Sequence, residues 1–387
     1  MSFRHTPLST PTCIRTVNIS PADNDDAALV CSLEEIDIIN GTSYHAFSAL
    51  SYRWGNGTRP QKITLNGFDV RIGRNLFDFL IHARRSMWTR HLWIDALSIN
   101  QDDSQEKEQQ VLRMCEIYSL ASNVLIWLGE MDGDEVAALN EIQDVLGDPA
   151  TATAMQQYME EMPSGQTQHH YTFFLTKRCQ RGLVKLLLNP YWLRKWIVQE
   201  VLLGGSNASI IVSEEHGGYI PITTIAPVVH TLIAQTLKDH EKAWADGLEQ
   251  WCKSGQEAQW FRYPPPNLSQ DEAELWCLRA LLGARDYKPS CESQNGIREF
   301  WKTLSSATST YKPLPLARLV EAYQNHQCAE KDDQVFAMLG LAIQQPGERI
   351  ELAYQNGITR IYENPHGRLE RKHAVFAKIM VRDFHAK

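Results

Sequence analysis

Apolar and polar residues alternate most strictly along Ile63-Thr-Leu-Asn66-Gly67-Phe-Asp-Val-Arg-Ile72, on both sides of an Asn-Gly pair. A type I′ turn needs φ > 0 at both central residues, and Asn-Gly supplies it, so this segment predicts a β-hairpin. Ala27–Leu33, Ala46–Tyr52, Leu92–Ile94 and Ala208–Val212 are apolar runs of strand length. Asn123-Val-Leu-Ile-Trp-Leu-Gly129 is continuously apolar, the pattern of a strand covered on both faces in a parallel sheet. Helical spacing separates these runs. Asn75 stands where it caps a helix carrying Leu76, Phe79, Leu80 and Ala83 on one face. Asp103 and Glu106 have capping-box spacing and open a helix with Val111, Met114, Cys115 and Tyr118. Gln180–Leu188 and Trp192–Leu203 read as two more helices, restarted at Pro190 and stopped by Gly204-Gly205.

Strands alternating with helices imply right-handed βαβ units and an α/β fold with a parallel sheet. Beyond Pro221 the pattern is mainly helical, at 223–238, 270–283, 295–308 and 315–325, broken at Pro264–Pro266. Met162–His170 reads as a loop. The expected organisation is an N-terminal arm at 1–27 with at most an edge strand, an α/β domain at 28–220, and a mainly helical region at 221–387 packed on it.

Composition narrows the function. With 387 residues, 43% hydrophobic and 22% charged, the chain has the proportions of a soluble globular protein. Its formal charge of −8 repels phosphate backbones, so no nucleic-acid partner is expected. The short basic clusters at Arg84-Arg85 and Arg368–Lys372 read as solvated helix faces. Eight scattered cysteines without a C-x-x-C pair predict neither a metal site nor a disulfide framework. The start lacks an apolar signal region and no run reaches the roughly 18 residues of a membrane span, so a cytoplasmic location is expected. No glycine-rich phosphate loop and no nucleophile elbow occur, and His169-His170 lacks a third ligand. No metal and no resident cofactor are expected.

Four fragments then stand in order: Ser51-Tyr-Arg-Trp54-Gly55; Trp93-Ile-Asp95-Ala-Leu-Ser-Ile-Asn100-Gln101-Asp102; Trp127-Leu-Gly129; and Trp196-Ile-Val-Gln199-Glu200. Together they resemble the fungal heterokaryon-incompatibility (HET) domain, whose pattern runs S-Y-x-W-G, W-I-D-A-x-x-I-N-Q-x-D, W-L-G and W-x-x-Q-E. The resemblance covers about 45–205 closely, and Asp332–Ala342 is similar to a segment that follows the domain in many members. Arg53 stands where an apolar residue is usual, and Ser98 where the family often has Cys. The resemblance implies a cytoplasmic protein of self/non-self recognition and programmed cell death. The HET domain is in turn distantly similar to Toll/interleukin-receptor (TIR) domains, several of which cleave NAD with a glutamate that follows a tryptophan on a helix. That implies a flavodoxin-like core, and NAD as a substrate rather than a cofactor.

Arg53, Trp54, Gly55 and Asp95 all follow strand-like runs, so they belong at the ligand crevice beyond the carboxyl ends of a parallel sheet. Trp196 and Glu200 are four apart and share a helix face, with Gln199 near the same edge. Cleavage of the ribosyl–nicotinamide bond develops oxocarbenium character that one carboxylate stabilises, and nicotinamide leaves neutral without a general acid. Glu200 is the candidate carboxylate, Trp54 or Trp196 a stacking ring, Arg53 a diphosphate partner, and Asn100 and Gln101 amide hydrogen-bonders. A plainer reading stands beside each: the tryptophans as core, Asp95–Gln101 as a capping network, Gln199-Glu200 as a buried hydrogen-bonding pair. Two functional alternatives remain open as well, a non-enzymatic module that signals by self-association or through a protein partner, and a pathway enzyme using the same crevice on another small molecule.

Overall fold

The computed structural model describes residues 3–147, 175–232 and 296–342 apart from short breaks, and the backbone of three strands between 348 and 373. The expected helix at 270–283, the Pro264–Pro266 break, the 162–170 loop with His169-His170, and the end of the 223–238 helix lie outside the described residues.

The chain opens with β1 (Cys13–Ile19), β2 (Val30–Asp37), β3 (Ser48–Tyr52) and the hairpin β4 (Gln61–Leu65) and β5 (Phe68–Ile72). Then come α1 (Arg74–Arg85), β6 (Leu92–Trp93), α2 (Asp95–Ser98), α3 (Ser104–Leu120) and β7 (Asn123–Trp127). These are followed by α4 (Gly133–Gly147), α5 (Lys177–Leu188), a 3₁₀ turn (Pro190–Leu193), α6 (Trp196–Gly204), β8 (Ala208–Ile211) and β9 (Tyr219–Pro221). Nine strands form one sheet in the order β5-β4-β2-β1-β6-β3-β7-β8-β9.

The α/β class is as expected, but the sheet is mixed. β3 runs parallel to β6 and β7, and β7 to β8. Counting from β3, these four have the flavodoxin-type order 2-1-3-4. Antiparallel pairs β1–β2, β1–β6, β4–β5 and β8–β9 extend that core on both sides.

The N-terminal arm is the main correction. β1 lies inside the sheet between β2 and β6, with all but one of its residues buried. Arg15 and Thr16 interrupt its apolar pattern, yet both are buried. Arg15 meets Glu106 at 2.6 and 2.9 Å and also donates to the carbonyls of Thr6 and Ser98. A partner 91 positions away makes this arginine an interior residue.

The hairpin follows its turn chemistry: Leu65 faces Phe68, and Asn66 and Gly67 take φ of 49° and 81°. Helix α1 buries Leu76, Phe79, Leu80 and Ala83 as predicted, but Gly73 precedes it and Asn75 is not its cap. Arg84 is no solvated cation, since it is buried and donates to the Ala27 carbonyl. On α3, Asp103 accepts from the N–H groups of Gln105 and Glu106, half of the capping box. The Glu106 carboxylate is committed to Arg15 instead. The helix expected at Trp192–Leu203 is two pieces, because Arg194 adopts an extended conformation between the 3₁₀ turn and α6.

Alternation along β3 sends Leu50 and Tyr52 to one face, packed with α1, and Ala49 to the other, packed with α3, α4, α5 and α6. Each face of the sheet therefore has its own apolar core.

After Pro221, residues 222–230 are helical, and α7 (Gly296–Ser305), α8 (Leu316–Ala322) and α9 (Asp333–Leu339) follow. A separate antiparallel sheet of β10 (Glu348–Ala353), β11 (Gly357–Glu363) and β12 (Leu369–His373) departs from the helical expectation. The period-two pattern Arg349-Ile-Glu-Leu352 and the pair Asn356-Gly357 are its signals in the sequence. Of the Arg368–Lys372 cluster, residues 369–372 lie in β12, not on a helix, and Arg368 is outside the described residues. No helix among the described residues is long and apolar enough to cross a membrane.

Candidate functional site

A cavity of about 460 Å³ opens at the carboxyl ends of β3 and β6. Arg53, Trp54 and Gly55 come from the loop after β3, and Asp95, Ile99 and Gln101 from the segment after β6. Lys107, Val111 and Met114 of α3 form a second wall, Arg194 and Trp196 a third, and Gln327, Cys328 and Asp333 the last. Six of the nine sequence candidates thus meet in one place.

Local chemistry fixes the first two groups. Asn75 donates to the Arg53 carbonyl at 2.8 Å and accepts from the Trp127 indole N–H at 3.0 Å, which pins the loop after β3. Gly55 takes φ of 88°, a left-handed conformation that favours glycine. Trp54, 40% exposed, donates its indole N–H to Asp95 Oδ2 at 2.8 Å. Asp95 Oδ1 accepts from the Ala96 N–H, and the Asp95 carbonyl accepts from Gln101 Nε2 at 3.0 Å. Asp95 thus lines the cavity while also bonding the local backbone, although Ile94 is the residue that precedes α2. Burial pushes its carboxyl above the ordinary carboxylate range, while Arg194 and the Trp54 N–H act in the opposite direction.

Asn100 does not line the cavity. Its backbone N–H donates to Glu106 at 2.8 Å and its side-chain oxygen accepts from the Asp102 N–H. It shapes the turn that leads into α3.

Helix α6 divides its residues by depth. Trp196 reaches the cavity and donates its indole N–H to Asp333 Oδ2 at 3.0 Å. Glu200, one turn further along, is 1% exposed and does not line it. Its carboxylate accepts from the Ser51 hydroxyl, which also bonds the Tyr191 hydroxyl at 2.6 Å. The Arg194 guanidinium lies 3.8 Å from Glu200 and donates to the Tyr52 carbonyl. Burial raises the Glu200 carboxyl to about 7 against the opposing pull of Arg194 and Ser51, and Asp95 adds to the rise. Arg194 thus stands between a cavity carboxylate and a buried one.

Gln199 is buried and accepts from the Gly340 N–H at 3.2 Å. A Cβ at Gly340 would lie 2.3 Å from Cys115 Cβ and 2.7 Å from Gln199 Oε1, so only glycine allows this approach. Fully buried Lys195 donates Nζ to the Tyr323 carbonyl at 2.6 Å, and its backbone N–H donates to the Gln327 carbonyl at 2.8 Å. Burial lowers the Lys195 ammonium to about 8. These contacts hold Tyr323, Gln327 and Gly340 against Lys195 and α6, next to the cavity wall of Gln327, Cys328 and Asp333.

Sequence reasoning missed Lys107, Arg194, Gln327, Cys328 and Asp333. Only Asp333 carried a signal, through the fragment Asp332–Ala342. Among the described residues, no group of three or more His, Cys, Asp or Glu is placed to hold a metal ion.

Comparison with known proteins covers the same region. Residues 47–200 match the family model described as heterokaryon incompatibility protein (HET). Over 185 residues, 44% of the chain, it is 31% identical to heterokaryon incompatibility protein 6, OR allele, of Neurospora crassa. The match spans about a quarter (25%) of that relative's length. No solved structure matches the chain significantly. The four motifs, the family match and this relative agree on one region: residues 47–200 are similar to the HET domain.

Proposed function

We propose that the protein acts in heterokaryon incompatibility as a cell-death type effector, and that its cavity binds a nucleotide of the NAD class and hydrolyses the ribosyl–nicotinamide bond. The observation that carries the reading is the convergence of two indole rings, three cations and two carboxylates on a cavity of about 460 Å³. That volume lies in the range of sites for drug-sized ligands. Trp54 and Trp196 offer ring faces, Arg53, Lys107 and Arg194 offer charge to a diphosphate, and Asp95 offers a carboxylate to ribose hydroxyls. The cavity's position beyond the carboxyl ends of β3 and β6, where open α/β sheets bind ligands, supports this reading. Because Glu200 sits beneath the wall, the carboxylate that meets the ribose in this reading is Asp95. Glu200 then acts through Arg194.

The burial of Glu200 favours a second reading, a binding module that signals by assembly without cleaving its ligand. One experiment separates the two. Purified protein is incubated with NAD, nicotinamide release is followed by chromatography, and binding is measured by calorimetry. Asp95→Asn and Glu200→Gln are run in parallel. Release by the wild type and its loss in Asp95→Asn support cleavage. Binding without release supports the module, and folded protein that neither binds nor releases refutes the proposal.

A further inference from the structure

The cavity holds the same arrangement twice. Trp54 donates its indole N–H to Asp95 at 2.8 Å, Trp196 donates to Asp333 at 3.0 Å, and all four residues line the cavity. The second aspartate comes from α9, outside the matched span of 47–200. An indole whose N–H is held at its edge is fixed about its side-chain torsions and keeps its faces available for stacking. Donation to a carboxylate also polarises the ring, so its faces attract positive charge more strongly.

We infer that Asp333 is a positioning residue for Trp196, and that the two Trp–Asp pairs fit the cavity to a flat, cationic heteroaromatic ring. Arg53, Lys107 and Arg194 in the same walls would repel a bare cation, so the ligand carries an anionic group on the same molecule. A pyridinium ribotide has that chemistry: a planar charged ring and a phosphate. A neutral purine nucleotide gains stacking but not the attraction of a positive ring. This inference rests on reading the cavity as the ligand site, and it names the part of an NAD-class ligand that the indoles hold.

The test uses the full chain, with nicotinamide mononucleotide and its dihydro form as probes in calorimetry. Both carry the phosphate, and only the first has a charged aromatic ring. Wild type is expected to prefer the oxidised form by about fivefold or more, the scale of one cation–π contact. Asp333→Leu removes the indole acceptor and is expected to weaken the oxidised form about tenfold and to erase the preference. Asp333→Asn keeps an acceptor oxygen and is expected to stay within about threefold of wild type. Near-ultraviolet circular dichroism shows whether each variant is folded, and a leucine variant that fails to fold leaves the asparagine variant and the redox preference to decide. Equal affinity for the two forms, no binding of either, an unaltered Asp333→Leu, or an Asp333→Asn as weak as an impaired Asp333→Leu overturns the inference. Intact discrimination without nicotinamide release from NAD defeats the cleavage reading alone. Release from NAD with no preference between the two mononucleotides defeats this inference alone.

Discussion

Replacing Glu200 with glutamine tests whether the carboxyl beneath the cavity is as buried and as poorly compensated as its surroundings indicate. Burial raises it from an ordinary 4.5 to about 7, even with Arg194 at 3.8 Å. The folded state therefore binds this proton more tightly than the unfolded chain does. Stability from the group is fully present below pH 4.5 and is lost as pH rises through 7. A shift of that size corresponds to about 3 kcal/mol. Glutamine keeps the shape and a hydrogen bond to Ser51 but has no proton to lose. The assay is urea unfolding followed by tryptophan fluorescence between pH 4.5 and 8. Asp95 shares Arg194 and titrates in both proteins, so most of its contribution cancels in the difference. Relative to wild type, Glu200→Gln is expected to gain about 3 kcal/mol across the window, becoming the more stable partner toward its upper end. Parallel stability curves for the two proteins would refute the argument.

Two further substitutions test the elements that hold the cavity together. Gly340→Ala forces a Cβ to within 2.3 Å of Cys115, and is expected to lower stability by about 1–3 kcal/mol in urea unfolding. An unchanged midpoint would mean that the 333–340 segment does not pack against α3 and α6. Arg15→Met leaves the Glu106 carboxylate, only 12% exposed, without its cation, and is expected to cost about 3–5 kcal/mol at pH 7. Burial raises that carboxyl, but the Arg15 pairing and the Asn100 N–H outweigh it and hold it below its ordinary 4.5. Wild type should lose this stability as the pH falls below 4.5, and Arg15→Met should not.

Features whose cause is local were legible in the sequence. Asn66-Gly67 forces its own turn, and the short apolar run at Asn123–Gly129 suits a strand covered on both faces. Arg53, Trp54, Gly55 and Asp95 were placed at the crevice because each directly follows a strand. Features that depend on distant partners were hidden. Arg15 reads as a surface residue until Glu106 is folded against it. The i, i+4 spacing of Trp196 and Glu200 gave their shared face but not their depth, and depth puts one in the cavity and the other beneath it. Arg194 gained its place only because the chain straightens between the 3₁₀ turn and α6, a break that Pro190 alone does not locate. The period-two pattern of Arg349–Leu352 was present but was outweighed by the helical periodicity before it.

The position of β1 bears on how the protein can be divided. Because β1 joins β2 to β6, and β2 carries the β4–β5 hairpin, a fragment beginning at Phe47, where the family match starts, lacks both strands that tie the hairpin to the rest of the sheet. Such a fragment would leave the β6 edge unpaired and detach the hairpin from the sheet. Open backbone edges of that kind recruit strands from other chains, so the excised domain is expected to aggregate rather than to report on the activity of the whole. Deletion mapping that treats the matched span as autonomous would then mistake a loss of folding for a loss of function.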